Sequence, residues 1–379
     1  MAETQKMDTV VQSLFLELLK AAIWDRPVDT FMFQGLTPVT WQAISDIASK
    51  QNVDALIADK VITLPADCLP APVQIALFMT RMEQVKDRNL ELDAALVKVA
   101  EAYRAQSLSF LLLKGHANSV NYPKPILRTL GDIDLFLCND KDYTKANSWA
   151  KNMGYRMEPE SLQHRSYNIG DVHVENHKYI THFGTEKYNK LLAKKMKEVM
   201  ASDKFGEISI NNTVIKTLPV EINAFFIFQH LFHHFLELGV GLRQFCDWVL
   251  LLSKNHENID RESFTHLASM FDLLKPMQVL ASAAIKYLDA PEYIFPFQVV
   301  NYENYADAVV ADIFEAGNFG HYKRMEEKPI GKWPGKWYSF VFTAKRSRKF
   351  SDVAPAHFKF LPFKKIVLYA KLKLKKQEK

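Results

Sequence analysis

The chain has 379 residues, of which 48% are hydrophobic and 24% are charged. At roughly 100–200 residues per domain, this length predicts two or three structural units, and the composition excludes collagen-like repeats and a wholly disordered chain. No apolar run approaches the roughly 18 residues of a membrane span, and no basic region followed by an apolar one opens the sequence. Three scattered cysteines do not suit a disulfide framework. We therefore predict a cytoplasmic protein.

The formal net charge of +5 is unevenly distributed. Between Lys345 and Lys379 there are 12 Lys and Arg against two acidic residues, so the rest of the chain has an acidic balance. A basic surface for nucleic acid over the whole protein is therefore not supported. The tail at 345–379 has three open interpretations. It could pack as a helix on the body, lie on an anionic membrane, or contact a nucleic acid.

Residues 1–99 are predicted to form an N-terminal helical region. Their apolar residues recur at the spacing of one buried helix face. The segments with this spacing are 10–24, 40–49 and 72–101, the last extending just past the region.

A mixed α/β unit is predicted for residues 100–218. It begins with the apolar run Ser109–Leu113, which indicates a buried strand that ends in a turn at Lys114-Gly115. Further elements follow from alternation, capping residues and turn residues. They are a short helix over 116–122, a strand over 131–137, a helix over 140–153 capped by Asp140 and closed by Gly154, a hairpin around Tyr167–Val172 with its second strand at Asp171–His177, and a hairpin over 208–217 that turns at Asn211-Asn212.

Helical periodicity returns in residues 219–344, which we predict to be a C-terminal helical region. Pro219 suits the first position of a helix, since that position needs no backbone N–H donor. The predicted helical segments are 219–238, 242–252, 261–288 and 303–316, followed by a turn at Asn318–Gly320.

The strongest candidate for chemistry is the acidic pair Asp132 and Asp134. On the predicted strand Gly131–Leu137, Ile133 and Leu135 face one way and the two aspartates face the other. Carboxylates at this spacing suit divalent metal ions that are bound to a triphosphate, and their mutual repulsion favours a cation. The plain alternative is a solvated polar face on an edge strand.

Residues near this pair extend the candidate site. Gly115 would let the backbone approach a phosphate, and Lys114 adjoins it. Arg128 is close enough in sequence to help neutralise phosphate charge. Glu175 would add a third carboxylate if the sheet places its strand alongside, and three carboxylates with two metal ions suit in-line nucleotidyl transfer.

Several short motifs occur together in one order along the chain. They are Leu113-Lys-Gly115, Tyr122-Pro, Arg128, Gly131–Leu137, Gly154-Tyr155, Val174–His177, and a His-rich helix before Arg243 and Asp247 within 231–252. In this combination the sequence resembles the bacterial uncharacterised nucleotidyltransferase family of the polymerase-beta-like nucleotidyltransferase superfamily. The resemblance covers roughly residues 108–252, and the whole chain more loosely.

The resemblance implies an α+β fold with a small mixed sheet between N- and C-terminal helical regions. It implies that Asp132, Asp134 and Glu175 are catalytic and hold Mg²⁺ or Mn²⁺. The residues expected to bind the nucleotide are Lys114, Gly115, Arg128, Gly131 and Arg243. One feature departs from the superfamily pattern, because its Gly-Ser pair shortly before the acidic pair is absent and Lys114-Gly115-His116 lies further upstream.

Nearby histidines have functional and plain interpretations. His230 and His234 have a metal-compatible spacing on a predicted helix, but packing or contact with a nucleotide is favoured. His173 and His177 share a strand face with Glu175 and are either partners that orient it or surface histidines.

The predicted function is transfer of a nucleoside monophosphate from a nucleoside triphosphate to a hydroxyl of an unidentified small molecule or glycan-pathway intermediate. One alternative is an Asp-x-Asp glycosyltransferase that uses a nucleotide sugar, although the helical N-terminal region counts against it. The others are a non-catalytic nucleotide-binding module and transfer to RNA. Arg243 and Asp247 could also be an ordinary ion pair four residues apart on a helix.

Overall fold

A computed structural model describes residues 2–161, 163–237, 239–317 and 332–358. The predicted turn at 318–320 and the tail beyond residue 358 lie outside the described residues. Among the helices of the described ranges, none is both long enough and apolar enough to cross a bilayer.

One mixed sheet of six strands lies in the middle of the described chain. Its strands are β1 Phe110–Leu113, β2 Ile133–Leu137, β3 His164–Ile169, β4 Val172–His177, β5 Gly206–Ile210 and β6 Thr213–Thr217. The order across the sheet is β3-β4-β2-β1-β6-β5. The pairs β2–β4 and β1–β6 are parallel, and the other neighbours are antiparallel. The small mixed sheet expected from the sequence is confirmed.

Helices precede, interrupt and follow this sheet. In chain order they are α1 Ala2–Ile23, α2 Pro38–Gln51, α3 Asp54–Val61, α4 Pro72–Ala105, α5 Lys114–Ser119, α6 Asp140–Asn152, α7 Glu186–Ser202, α8 Val220–Glu237, α9 Leu242–Asn255, α10 Arg261–Met270, α11 Leu274–Leu288, α12 Glu303–Ala316, α13 Lys332–Lys349 and α14 Pro355–Phe358. The α/β section is therefore flanked by helical sections, as expected. The domain boundaries at 99, 218 and 344 stay predictions.

The two faces of the sheet have different chemistry, and β2 shows why. Ile133 and Leu135 pack in one buried cluster with Leu96 of α4 and Ala146 of α6. Because side chains alternate along a strand, Asp134 lies on the other face. One face is thus sealed by α4 and α6, and the acidic face is left for the site.

The long helix α4 serves two cores. Phe78 and Met82, in its first half, belong to a cluster with α1–α3. Leu92 and Tyr103, in its second half, belong to the cluster beneath the sheet. This helix therefore connects the packing of the N-terminal helices directly to the sheet.

The turn predictions are confirmed where they depend on special backbone conformations. Asn211 and Asn212 both have positive φ, 48° and 63°, as a tight two-residue hairpin between β5 and β6 requires. Gly154 after α6 has φ of 79°, which is the left-handed conformation expected beyond a helix end.

Two local predictions need correction. Asn139, rather than Asp140, caps α6, because its side chain accepts the backbone N–H of Asp142. The segment 261–288 contains two helices, α10 and α11, rather than one continuous helix. Asp272 between them has φ of 54°, a left-handed conformation that ends the first helix.

We expect Leu135→Ala to lower the free energy of unfolding by about 2–5 kcal/mol, because it leaves a cavity in the fully buried cluster beneath β2. Val214→Ala is the matched control, since Val214 on β6 is 49% exposed, and it should stay within about 0.5 kcal/mol. Chemical denaturation of both variants measures the difference. Equal losses would contradict the assignment of Leu135 to the core.

Candidate active site

A cavity of about 360 Å³ lies between the acidic face of the sheet and helices α8 and α9. All eight residues that the sequence nominated line this one cavity. They are Lys114, Gly115, Arg128, Gly131, Asp132, Asp134, Glu175 and Arg243. The structure therefore brings together residues that are separated by as many as 129 positions in the chain.

The acidic cluster depends on the parallel pairing of β2 with β4. In that register Asp134 is the direct neighbour of Glu175. Asp134 is buried, with 6% exposure, and Glu175 is half-buried. Asp132 precedes β2 and is more exposed, at the rim of the cavity. The condition attached to Glu175 in the sequence, that its strand lie alongside, is met.

Asp134 carries two close hydrogen bonds on one oxygen. Lys114 Nζ donates to its Oδ1 at 2.7 Å, and His177 Nε2 lies 2.8 Å from the same atom. Burial alone would raise the pKa of Asp134, but the Lys114 ammonium and the hydrogen bond from His177 lower it well below its usual range. Asp134 is therefore a carboxylate throughout the physiological pH range.

Lys114 is held as a cation by the same cluster. Burial would lower the pKa of Lys114, but the charges of Asp134 and Glu175 raise it above the ordinary value. Its backbone has φ of 52°, so Lys114, and not Gly115, takes the left-handed conformation at the end of β1. This conformation begins the short helix α5.

Glu175 is surrounded by imidazole rings. His177 Nε2 lies 3.0 Å from Glu175 Oε2, while His164 Nε2 and His173 Nε2 lie 3.5 and 3.6 Å from Oε1. The sequence placed His173 and His177 beside Glu175, but it did not identify His164. A usable signal was present, because the two-residue turn at Gly170-Asp171 pairs His164 with His177 in the hairpin.

The cluster contains more negative than positive charge. Three carboxylates, Asp132, Asp134 and Glu175, face one ammonium, that of Lys114. Partial burial, and repulsion from Asp134 and Glu175, raise the pKa of Asp132. A hard divalent cation takes oxygen ligands of this kind, and its charge would offset this excess. The residues present therefore fit a divalent metal ion.

Arg128 is engaged in a buried ion pair. Its guanidinium donates to both oxygens of Asp247, from Nε at 3.0 Å and from Nη2 at 2.6 Å. Tyr122 donates its hydroxyl to the same carboxylate at 2.8 Å. The charge of Arg128 is thus paired within the protein, and its expected part in neutralising phosphate stays a prediction. Asp247 pairs with Arg128 rather than with Arg243.

Arg243 is the complementary case. It is 8% exposed, and within the described part of the chain its side chain makes one hydrogen bond, from Nη1 to the Thr129 carbonyl at 2.7 Å. Its Nε is buried with no hydrogen-bond partner, and no carboxylate among the described residues forms an ion pair with it. Burial and repulsion by Arg128 lower the pKa of Arg243 to about 10. A buried, uncompensated guanidinium on a cavity wall is suited to bind an anion.

The two glycines of the site differ in their constraints. A Cβ on Gly115 would lie 3.1 Å from Arg128 Nη1, so the close approach of α5 to Arg128 favours glycine there. A Cβ on Gly131 would meet nothing within 4 Å, and its φ is not positive. Gly131 lines the cavity, but the protein itself does not require a glycine at that position.

Two α8 histidines that line the cavity, His230 and His234, are held as neutral groups. Burial lowers the pKa of His230 well below its ordinary value and that of His234 to about 3. Their rings are in contact, with centroids 4.5 Å apart. They are not part of any three-ligand group found among the described residues.

We expect Asp247→Ala to lower the free energy of unfolding by about 3–5 kcal/mol, because it leaves the Arg128 guanidinium buried without its counter-charge. Asp307→Ala, which breaks the exposed pair with Lys286, is the control and should cost at most about 1 kcal/mol. Denaturant unfolding compares the two. A smaller loss for Asp247→Ala than for Asp307→Ala would show that the buried pair is not structural.

Comparisons with known proteins give one family match. Residues 37–289 match the family of uncharacterised nucleotidyltransferases, which is more than half of the chain. No curated protein matches the sequence. One crystal structure that aligns is of an antigenic nucleotidyltransferase-like protein from Paracoccidioides brasiliensis. It has 11% identity and a TM-score of 0.33, and the alignment covers 54% of this chain and 96% of that one, a likeness too distant to support an argument. By the family match, the chain belongs to the uncharacterised nucleotidyltransferase family.

Proposed function

We propose that this protein transfers a nucleotidyl group from a nucleoside triphosphate to a hydroxyl of an acceptor, with Mg²⁺ or Mn²⁺ as cofactor. The observation that carries the proposal is the content of one cavity. It holds three carboxylates and also the buried, uncompensated guanidinium of Arg243. In a metal-bound triphosphate the metal ion is positive and the phosphates are negative. The carboxylates complement the metal ion, and the Arg243 guanidinium complements the phosphates.

Asp132, Asp134 and Glu175 would hold the metal ion. When bound there, a divalent cation would supply positive charge that offsets the negative charge developing on the phosphates during transfer. The protein's own contribution is to keep the carboxylates ionised and aimed. The Lys114 ammonium holds Asp134 from one side and the His177 ring holds it from the other.

Arg243 is proposed to bind the phosphate chain. Its unpartnered Nε can donate a charge-assisted hydrogen bond without breaking a contact inside the protein. Arg128 has a positioning role, because it occupies Asp247 and so prevents that carboxylate from neutralising Arg243. Gly115 allows α5 to lie against Arg128, and Lys114 offers a second cation to the phosphates.

Catalysis in this scheme is mainly positioning and charge compensation. In-line attack by the acceptor hydroxyl on the α-phosphorus forms one P–O bond and breaks another; pyrophosphate leaves, and the hydroxyl proton is lost to water. Little covalent chemistry is left to the side chains, so the fixed carboxylates and guanidinium supply most of the acceleration. Glu175 is held by His177 at 3.0 Å, which fixes its carboxylate beside Asp134.

A non-catalytic nucleotide-binding module is the second candidate. One observation favours it, because Lys114 and His177 both lie within hydrogen-bond distance of Asp134 Oδ1 and occupy an oxygen that a metal ion would need. Family membership argues against the Asp-x-Asp glycosyltransferase. The acceptor in this proposal is a small molecule or a glycan-pathway intermediate, with RNA as the alternative acceptor. For the basic tail at 345–379, the proposed partners are an anionic membrane surface or a nucleic acid, and the alternative is that it binds no partner.

We expect calorimetry to show Mg²⁺-dependent binding of a nucleoside triphosphate to the intact protein, and loss of that binding in Asp132→Asn/Asp134→Asn. The reason is that the double variant removes two of the three negative charges that attract the metal. Asp171→Asn, at the exposed turn between β3 and β4, is the matched control and should bind normally.

The same samples separate the alternatives. If the protein binds a triphosphate but releases no pyrophosphate when a cell extract is added as a source of acceptor, the result would support the binding module. Binding of a nucleotide sugar but of none of the four triphosphates would contradict nucleotidyl transfer.

We expect Arg243→Gln to weaken triphosphate binding about 10- to 100-fold, the loss of one hydrogen bond to a charged group. Arg156→Gln, which removes an exposed arginine that does not line the cavity, is the control and should have no effect. Titration with the triphosphate and, separately, with the nucleoside measures the change. If the nucleoside loses affinity as much as the triphosphate does, Arg243 does not bind phosphate.

A further inference from the structure

A second possible ligand group overlaps the carboxylate cluster. His164, Glu175 and His177 each offer one ligand atom, and these atoms all lie within 4.8 Å of one another. The hairpin of β3 and β4 creates this arrangement. His164 is the direct partner of His177, and Glu175 lies two residues before His177 on the same strand face.

We propose that His164, Glu175 and His177 form a binding site for a borderline transition-metal ion such as Mn²⁺, Co²⁺ or Zn²⁺, in preference to Mg²⁺. Imidazole nitrogen is a good ligand for transition metals, whereas Mg²⁺ is bound almost entirely by oxygen. The inference narrows the cofactor of the proposed function, but metal binding itself rests on the geometry of these three residues.

The surroundings suit a cation with two positive charges. Asp134 is adjacent to Glu175 in the sheet, and its Oδ1 lies 2.8 Å from His177 Nε2. If His177 Nε2 coordinates a metal, it gives up its hydrogen and its bond to Asp134, and that oxygen becomes available as a further ligand. His164 is half-exposed, which leaves a route for an ion to enter from solvent.

A neighbouring histidine provides an internal control. His173 Nε2 lies 3.6 Å from Glu175, almost the same distance as His164 Nε2 at 3.5 Å. The other ring nitrogen of His173, Nδ1, lies 2.7 Å from the Asn168 side chain, and His173 is outside the three-ligand group. Loss of either histidine removes a similar ring next to Glu175, but only His164 is assigned as a ligand.

The test is titration of tag-free, chelator-treated full-length protein with Co²⁺, followed by visible d–d absorption, in the presence and absence of excess Mg²⁺. We expect one Co²⁺ per chain, with absorption that a tenfold excess of Mg²⁺ does not remove. His164→Gln should weaken Co²⁺ binding by at least about tenfold, the scale of losses at metal sites. His173→Gln should change it less than about twofold. Circular dichroism verifies that both variants fold.

The inference would be overturned if the intact protein showed no Co²⁺ absorption, or if His164→Gln and His173→Gln weakened Co²⁺ binding equally. It would also be overturned if His164→Gln kept Co²⁺ binding and His230→Gln lost it, because that result would place the ion on α8. Failure of the proposed function is read separately. A chain that binds Co²⁺ through His164 but binds no triphosphate keeps this metal site and loses the nucleotidyltransferase proposal. A chain that binds a triphosphate with Mg²⁺ alone, and shows no Co²⁺ absorption, keeps the nucleotidyltransferase proposal and loses this metal site.

Discussion

Parallel pairing of β2 with β4 is the constraint on which the site depends. It sets Asp134 directly beside Glu175, and two adjacent carboxylates repel each other unless cations or hydrogen-bond donors intervene. The protein supplies Lys114 from the end of β1 and His177 from β4 itself. Lys114 does so from a left-handed backbone conformation at the end of β1, with φ of 52°.

A second buried network divides the arginines between two roles. Asp247 on α9 could have paired with Arg243 one helical turn earlier, but it pairs with Arg128 and accepts a further bond from Tyr122. A carboxylate shared with Arg243 would have neutralised the cavity wall. The observed pairing gives the Arg128 guanidinium a counter-charge and leaves the Arg243 guanidinium without one. Arg128 is thus part of the buried scaffold, and Arg243 is the arginine that we propose to bind phosphate.

Local features of this fold could be predicted from sequence, because they depend on neighbours along the chain. Alternation in Gly131–Leu137 predicted which face of β2 carries the aspartates, and the Asn211-Asn212 turn predicted its hairpin. Partners of buried charges could not be predicted in the same way. Arg128 meets Asp247 across 119 positions, and only the packing of α9 against the loop before β2 decides that contact. The sequence pattern i, i+4 favoured the wrong partner for Asp247.

His164 combines a feature that could be predicted from sequence with one that could not. Its pairing with His177 follows from the hairpin turn, so its place in the sheet could be inferred from sequence. The proposed role of His164 as a metal ligand depends on Glu175. The position of Glu175 beside Asp134 depends in turn on a parallel strand pairing that the local sequence pattern does not specify. Glu175 therefore belongs to two donor sets, one of oxygens and one rich in nitrogen. His177 connects the two sets, because its Nε2 lies 2.8 Å from Asp134 Oδ1 and coordination of an ion by Nε2 would free that oxygen as a ligand. The identity of the cation would therefore decide whether His177 holds Asp134 in place or joins it as a ligand.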